Sequence, residues 1–155
     1  MKKLIISALL LINVSVFAQF PNGKEFVSFG LISPSQKLIY MRNNDWHYDR
    51  VERWKENHKA SEEYNFLKSE NGIGYILTLL CVTDLTTATD YYATKLSTES
   101  EASYNRLIKS MKSVGFVFKE YEKGKFRSTQ DEYTVSYWKT NIKGSILYEI
   151  EVAYY

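Results

Sequence analysis

The chain repeats itself. Slid by 70 residues without a gap, residues 37–82 fall on 107–152, and nine positions coincide: Met41/Met111, Glu52/Glu122, Lys55/Lys125, Glu62/Glu132, Asn71/Asn141, Gly74/Gly144, Ile76/Ile146, Leu77/Leu147 and Val82/Val152. Average residue usage gives about three coincidences by chance over such a length. Conservative matches follow at Leu38/Ile108, Arg42/Lys112, Trp46/Phe116, Tyr48/Phe118, Arg53/Lys123 and Leu80/Ile150. They fall on a helix face, a strand start and a hairpin, where a shared backbone constrains side chains. A unit of about 70 residues is small for independent stability, so two such units are expected to share one core.

The local patterns fit that division. Gln19 to Lys24 reads as a loose start, and Phe26 to Ile32 as a short strand or turn. Ser33-Pro34-Ser35-Gln36 is a helix start: a serine cap, proline at the first helical position and glutamine three residues on. Leu38, Ile39 and Met41 give that helix an apolar face, and Asn43 or Asn44 ends it. Strands are expected over Trp46 to Lys55, Glu63 to Ser69 and Ile73 to Val82, with Asn71-Gly72 as a hairpin turn. The run Ile73 to Val82 is apolar on both faces and reads as a strand covered on both sides.

The polar stretch Asp84 to Ala88 marks the boundary. Thr89 to Leu96 alternates as a strand does. Thr98 and Glu101 form a capping box, Tyr104, Leu107, Ile108 and Met111 recur at helical spacing, and Gly115 stops the helix. Three strands are expected after it: Phe116 to Glu122, Phe126 to Trp138 and Ser145 to Tyr154, the last two joined through Asn141-Ile142-Lys143-Gly144. On the last, Ile146, Tyr148, Ile150, Val152 and Tyr154 share one face while Glu149 and Glu151 face water. The fold class is therefore α+β: two tandem helix-plus-three-strand antiparallel repeats, residues 19–86 and 87–155, in one compact domain.

Residues 1–18 read as a secretory signal peptide. Lys2 and Lys3 are the positive start, Leu4 to Phe17 is apolar, and Val16-Phe17-Ala18 is a cleavage site. The apolar run is shorter than the roughly 20 residues a membrane span needs. Its removal takes the basic count from 20 to 18, equal to the 18 acidic residues. A neutral domain has no electrostatic case for nucleic acid and no lysine cluster for an anionic membrane. The expected location is the periplasm or the extracellular medium. Cys81, the single cysteine of the chain, forms no internal disulfide and reads as a core residue.

A signal peptide followed by two helix-plus-antiparallel-sheet units with aromatic-rich strands resembles the small exported bacterial proteins of tandem α+β repeats, of which the β-lactamase inhibitory proteins are the type. The likeness is one of architecture and spans most of the chain after residue 18. It departs in one respect: those units carry disulfides. The resemblance implies a concave sheet that binds another protein.

Two constellations carry chemistry. Asp45, His47 and Asp49 would share one face of a strand, a set suited to a divalent metal or to acid–base work. The positions 70 residues on are Gly115, Val117 and Lys119, so the repeated frame does not require them, and a solvated strand face is the simpler reading. Glu62 and Glu63 beside a turn read as surface carboxylates. No GxSxG elbow or phosphate-cradling glycine loop is present. The second constellation is aromatic: Trp46, Trp54, Trp138, Tyr137 and Tyr91, residue types that bury large areas at interfaces. The expected function is a non-catalytic exported binding module, without a cofactor, taking another exported or envelope protein or peptide on an aromatic-rich sheet surface. A glycan or small-ligand platform of Trp and Tyr rings is the first alternative. A small metal-assisted hydrolase at Asp45, His47 and Asp49 is the second.

Overall fold

The computed structural model describes Phe20 and residues 22–154. The leader expected over residues 1–18 and the terminal Tyr155 lie outside them. Among the described residues three helices, α1 (Gly23–Leu31), α2 (Pro34–Asn43) and α3 (Glu101–Ser113), accompany eight strands. Four strands, β1 (His47–Glu56), β2 (Lys59–Glu70), β3 (Ile73–Asp84) and β4 (Thr89–Thr98), lie between α2 and α3. Four more follow α3: β5 (Lys119–Glu122), β6 (Lys125–Thr129), β7 (Tyr133–Ile142) and β8 (Ser145–Tyr154). They form one antiparallel sheet in the order β1-β2-β3-β4-β8-β7-β6-β5. The molecule is thus α+β, and mostly sheet.

Helix α1 was expected as a strand or turn. Its start signal is Asn22, whose Oδ1 accepts from the Glu25 backbone N–H at 3.0 Å while its Nδ2 donates to the Glu25 carboxylate. Phe26, Val27 and Phe29 are buried by it. Two glycines bring it close to its neighbours. A Cβ on Gly23 would lie 2.4 Å from the Leu107 carbonyl oxygen, and one on Gly30 would lie 2.6 Å from Val152 Cβ. Helix α2 begins as its sequence requires: Gln36 N–H donates to Ser33 Oγ, and Ser33 N–H donates to the Gln36 side chain. Its buried face differs from the expected one. Lys37 and Met41 are buried, whereas Leu38 is 46% and Ile39 61% exposed.

The two helix ends share one geometry at the offset of 70. The Met41 carbonyl accepts from Asn44 and Trp46 N–H, and the Met111 carbonyl accepts from Val114 and Phe116 N–H. Asp45 (φ 55°) and Gly115 (φ 101°) both take the left-handed conformation. Helix α2 ends at Asn43 with Asn44 as its cap, as expected, while Asp45 rather than either asparagine takes the left-handed conformation. The cap of α3 is Ser100, whose Oγ accepts from Ser103 N–H, and not Thr98, which ends β4 and donates to the Gly74 carbonyl.

Each set of four strands is a meander, where three strands were expected. The stretch expected to separate the units is the β3–β4 turn, in which the Asp84 carboxylate accepts from Thr86 and Thr87 N–H. The 86/87 division thus falls inside a hairpin. The expected strand Phe126 to Trp138 is broken into β6 and β7, with Gln130 N–H donating to the Tyr133 carbonyl. Asn57-His58, Asn71-Gly72 and Lys143-Gly144 all take positive φ in two-residue turns that suit tight hairpins.

All three helices pack on one face of the sheet. Tyr104 of α3 packs edge-on against Tyr137 and tilted against Tyr148. Gly30 of α1 rests on Val152, and Lys37 of α2 faces the Tyr154 ring. The core lies between them, built on Tyr75, Leu77 and Leu79 of β3, Val135 of β7, and Ile150 and Val152 of β8. The face of β3 expected to be covered as well carries half-buried Ile76, Leu80 and Val82 and no described helix.

Candidate functional site

Cross-strand pairing settles what the uncovered face displays, because directly paired residues share a face. One row crosses every strand: Arg50, Asn65, Thr78, Lys95, Glu151, Ser136, Arg127 and Lys119. On one side of it runs Leu67, Ile76, Ser97, Glu149 and Trp138. On the other run Leu80, Ala93 and Ala153, and beyond them Trp54, Ser61, Val82 and Tyr91. The face is a polar stripe flanked by mixed rows, apolar at Leu67, Ile76 and Trp138 on one side and at Leu80, Val82, Tyr91 and Trp54 on the other.

Several polar side chains on this face are buried although no described helix covers them. Asn65, Thr78, Ser97, Ser136 and Glu149 are each at most 6% exposed. They are satisfied within the sheet. Thr78 Oγ1 donates to Asn65 Oδ1 at 2.8 Å, and Asn65 Nδ2 donates to Glu63 at 3.0 Å. Glu149 is not the solvent-facing residue its alternation suggested. It pairs with the Lys95 ammonium at 3.3 Å and accepts from Thr140 Oγ1 and from Ser97 Oγ at 3.5 Å. Arg127 Nε donates to Ser136 Oγ at 3.2 Å, and its guanidinium lies 4.0 Å from the Tyr121 ring centroid.

Burial, reinforced by the Glu149 charge, raises the Glu151 carboxyl above its ordinary range, against the opposing pull of Lys95 and Arg127. As pH rises, the unfolded chain therefore gives up this proton before the folded one does. Stability falls with pH across that window, down to a lower plateau above it. Glu151→Gln is expected to be more stable than the parent at pH 7 and equal to it below the carboxylate range, as read by urea unfolding at both pH values. A variant less stable than the parent at pH 7 would show that the pairing with Lys95 and Arg127 outweighs the burial.

A cleft of about 520 Å³ opens at one end of this face, lined by His47, Leu67, Ile76, Ser97 and Leu147 among others. It abuts the row that carries Glu149 and Trp138.

The five aromatic candidates divide between the two faces. Trp54 is 43% exposed on the uncovered face, where Tyr91 and Trp138 are half-buried. Trp46 and Tyr137 are core residues on the opposite face. Trp46 lies beneath the Lys68 ammonium, and Tyr137 is stacked on Phe126 and edged by Phe118 and Tyr104. The reason is register. Tyr137 pairs with the core residue Ile150, and Trp46 follows the helix end that buries Met41. Trp54 and Tyr91 share a row with β2 and β3 between them, about 14 Å apart by ordinary strand spacing. Trp138 is at the far end.

Asp45, His47 and Asp49 do not converge. Asp45 lies in the left-handed turn before β1, a bulge between Tyr48 and Arg50 breaks the alternation, and Asp49 pairs with Arg50 at 3.1 Å. Among the described residues no group of three or more His, Cys, Asp or Glu side chains is placed to hold a metal ion. Glu62 accepts from Arg53 and Tyr64, and those two bonds hold its carboxyl below the ordinary range. Cys81 is half-buried at a cavity on the helix-bearing face, and burial, with help from the Asp90 charge, pushes its thiol up.

The polar stripe was not foreseen as a site. Its signal was in the register: a charged, amide or hydroxyl residue recurs at one level of strand after strand, a pattern invisible until the strands are paired. No described helix is long and apolar enough to cross a membrane. No protein-family model, curated protein or solved structure matches the chain.

Proposed function

We propose that this chain is an exported, non-catalytic binding module that takes a protein or peptide on the helix-free face of its sheet. The observation that carries the reading is the face itself: eight strands wide, with apolar side chains at Trp54, Tyr91, Leu67, Ile76 and Trp138 flanking a prearranged polar stripe. Aromatic anchors beside satisfied polar groups are the usual makeup of a protein interface. The edges support a partner on the face rather than a strand added at the side. β1 carries Asp49, Arg50, Glu52, Arg53, Lys55 and Glu56, and β5 carries Lys119, Glu120 and Glu122. Charged edge strands resist further pairing. A glycan platform is less well supported, because the register keeps Trp54, Tyr91 and Trp138 apart.

The leader-like residues 1–18 support export. The likeness in layout to the tandem-repeat exported inhibitors supports a protein as the partner. We also propose that the two helix-plus-sheet halves descend from one duplicated unit, now four strands each. The matching ends of α2 and α3 support this; along the strands the offset of 70 places β3 on β8, whereas the sheet order makes β4 the counterpart of β8.

The test is capture of a partner from envelope and culture-supernatant fractions, followed by titration. One stoichiometric protein is expected. Trp138→Ala is expected to weaken its binding at least tenfold, about 1.4 kcal/mol, while Ile39→Ala on the helix-bearing side leaves it unchanged. Equal binding by both variants would remove the reading.

A further inference from the structure

Helix α2 is patterned against its own environment. It buries Lys37 to 3% exposure and leaves the adjacent Leu38 and Ile39 in solvent. A break of a local rule without structural compensation is a mark of function. The compensation is slight: among the described residues Lys37 has no carboxylate partner and no side-chain hydrogen bond. Its charge partner is the face of Tyr154, 5.1 Å from the ring centroid.

Lys37 lines a cavity of about 270 Å³ between the first turn of α2 and strands β2 to β4. Pro34, Leu38 and Leu79 make the wall apolar, with Tyr64, Cys81 and Tyr92 among the rest. The polar neighbours are already committed. The Tyr64 hydroxyl donates to Glu62, which Arg53 also holds, and the Tyr92 hydroxyl donates to Asp90, which Thr83 also holds. An anion would find one donor here, with two carboxylates nearby. An amine without a counter-ion, in an apolar cavity, suits a neutral electrophile.

We propose that Lys37 captures small, neutral, apolar aldehydes: its Nζ attacks the carbonyl carbon of a ligand seated in this cavity and forms an imine. The nitrogen lone pair makes the new C–N bond, and the carbonyl oxygen takes up a proton. Loss of the two amine protons and that oxygen as one water leaves the C=N bond, with no oxidant or reductant required. Burial drives the Lys37 amine down to about 8, so roughly a tenth is unprotonated at pH 7 and about half at pH 8, far more than for a lysine at its ordinary 10.5. The Cys81 thiol is pushed the other way and stays protonated, leaving the amine as the nucleophile.

The experiment exposes the folded protein to hexanal with cyanoborohydride at pH 8 and maps the reduced adducts by peptide mass spectrometry. Lys37 is expected to be labelled at least about tenfold faster than any other lysine. Its rate should level off above pH 8, while surface lysines keep accelerating toward pH 10. Lys37→Arg should abolish the fast adduct. Leu38→Trp, which keeps the amine but crowds the cavity, should slow it even if the arginine variant folds poorly. Uniform labelling of all lysines, or fast labelling that survives unfolding in urea, would overturn the proposal. Stronger protection of Lys37 by hexanoate than by hexanol would overturn it in favour of an anion site.

Discussion

Gly23→Ala is expected to destabilise the fold by about 3 kcal/mol or more, the upper part of the range for overpacking a core. The reason is the α1–α3 crossing. An added Cβ would meet Met111 Cγ at 2.3 Å and the Leu107 carbonyl oxygen at 2.4 Å. The Met111 side chain can move, but the carbonyl belongs to the backbone of a packed helix whose Leu107 and Met111 are buried. The helices must therefore part, and Gly23 N–H must leave the Ser110 Oγ on which it is held at 3.1 Å. A double-mutant cycle separates the two contacts. If the backbone contact dominates, Met111→Ala does not rescue Gly23→Ala, and the two losses add. Substantial rescue, read by urea unfolding, would place the strain in the methionine side chain instead.

The second large effect is a gain. Lys37→Met is expected to stabilise the protein by about 2 kcal/mol at pH 7, a discounted reading of roughly 1.4 kcal/mol per pKa unit for burying the charge. The sign follows from linkage. The amine loses its proton at about 8 in the folded state and near its ordinary 10.5 in the unfolded one. Between those values the unfolded chain holds more protons, so stability rises with pH. Below pH 8 the lysine is charged in both states and the burial cost is fully present. Above 10.5 it is neutral in both and the cost is gone. The advantage of the methionine variant should therefore be constant below pH 8 and disappear by about pH 10.5. Differencing the two proteins cancels the tyrosines, whose own ionisation falls in the same range. An advantage that persists at high pH would mean that methionine gains by packing rather than by removing a charge.

A stable methionine variant that no longer captures aldehyde would give the buried lysine a reason to exist. Proteins tolerate destabilising groups where function needs them. If the variant is stable and the binding face still takes its partner, the two sites are independent. They lie on opposite faces of one sheet.

Much of the local structure was legible in the sequence. Ser33-Pro34 with Gln36 starts α2, Asn71-Gly72 turns β2 into β3, and the alternation of β8 names its core side from Tyr148 to Tyr154. These signals act over two to four residues, within reach of a single cap or turn. Helix α1 could have been found by the same means, since Asn22 and Glu25 satisfy the cap rule. The apolar, glycine-containing run after them masked it. The candidate site was less legible. Aromatic type alone could not separate Trp54 and Trp138 from Trp46 and Tyr137, because burial of an aromatic ring and its use at an interface draw on the same apolar area.

Local residue patterns set the start of α2, the hairpin turns and which residues of a strand share a face. Which of those faces is covered depends on packing between distant segments. The pairing of β4 with β8 joins the two meanders into one sheet and lines up the polar stripe. The close passage of Gly23 over Leu107 and Gly30 over Val152 brings the helices onto one side. Those contacts join residues far apart in the chain, as does the packing of buried Lys37 against the Tyr154 ring, while Leu38 stays in water. Burial is a property of what arrives from elsewhere, and no local pattern carries that information.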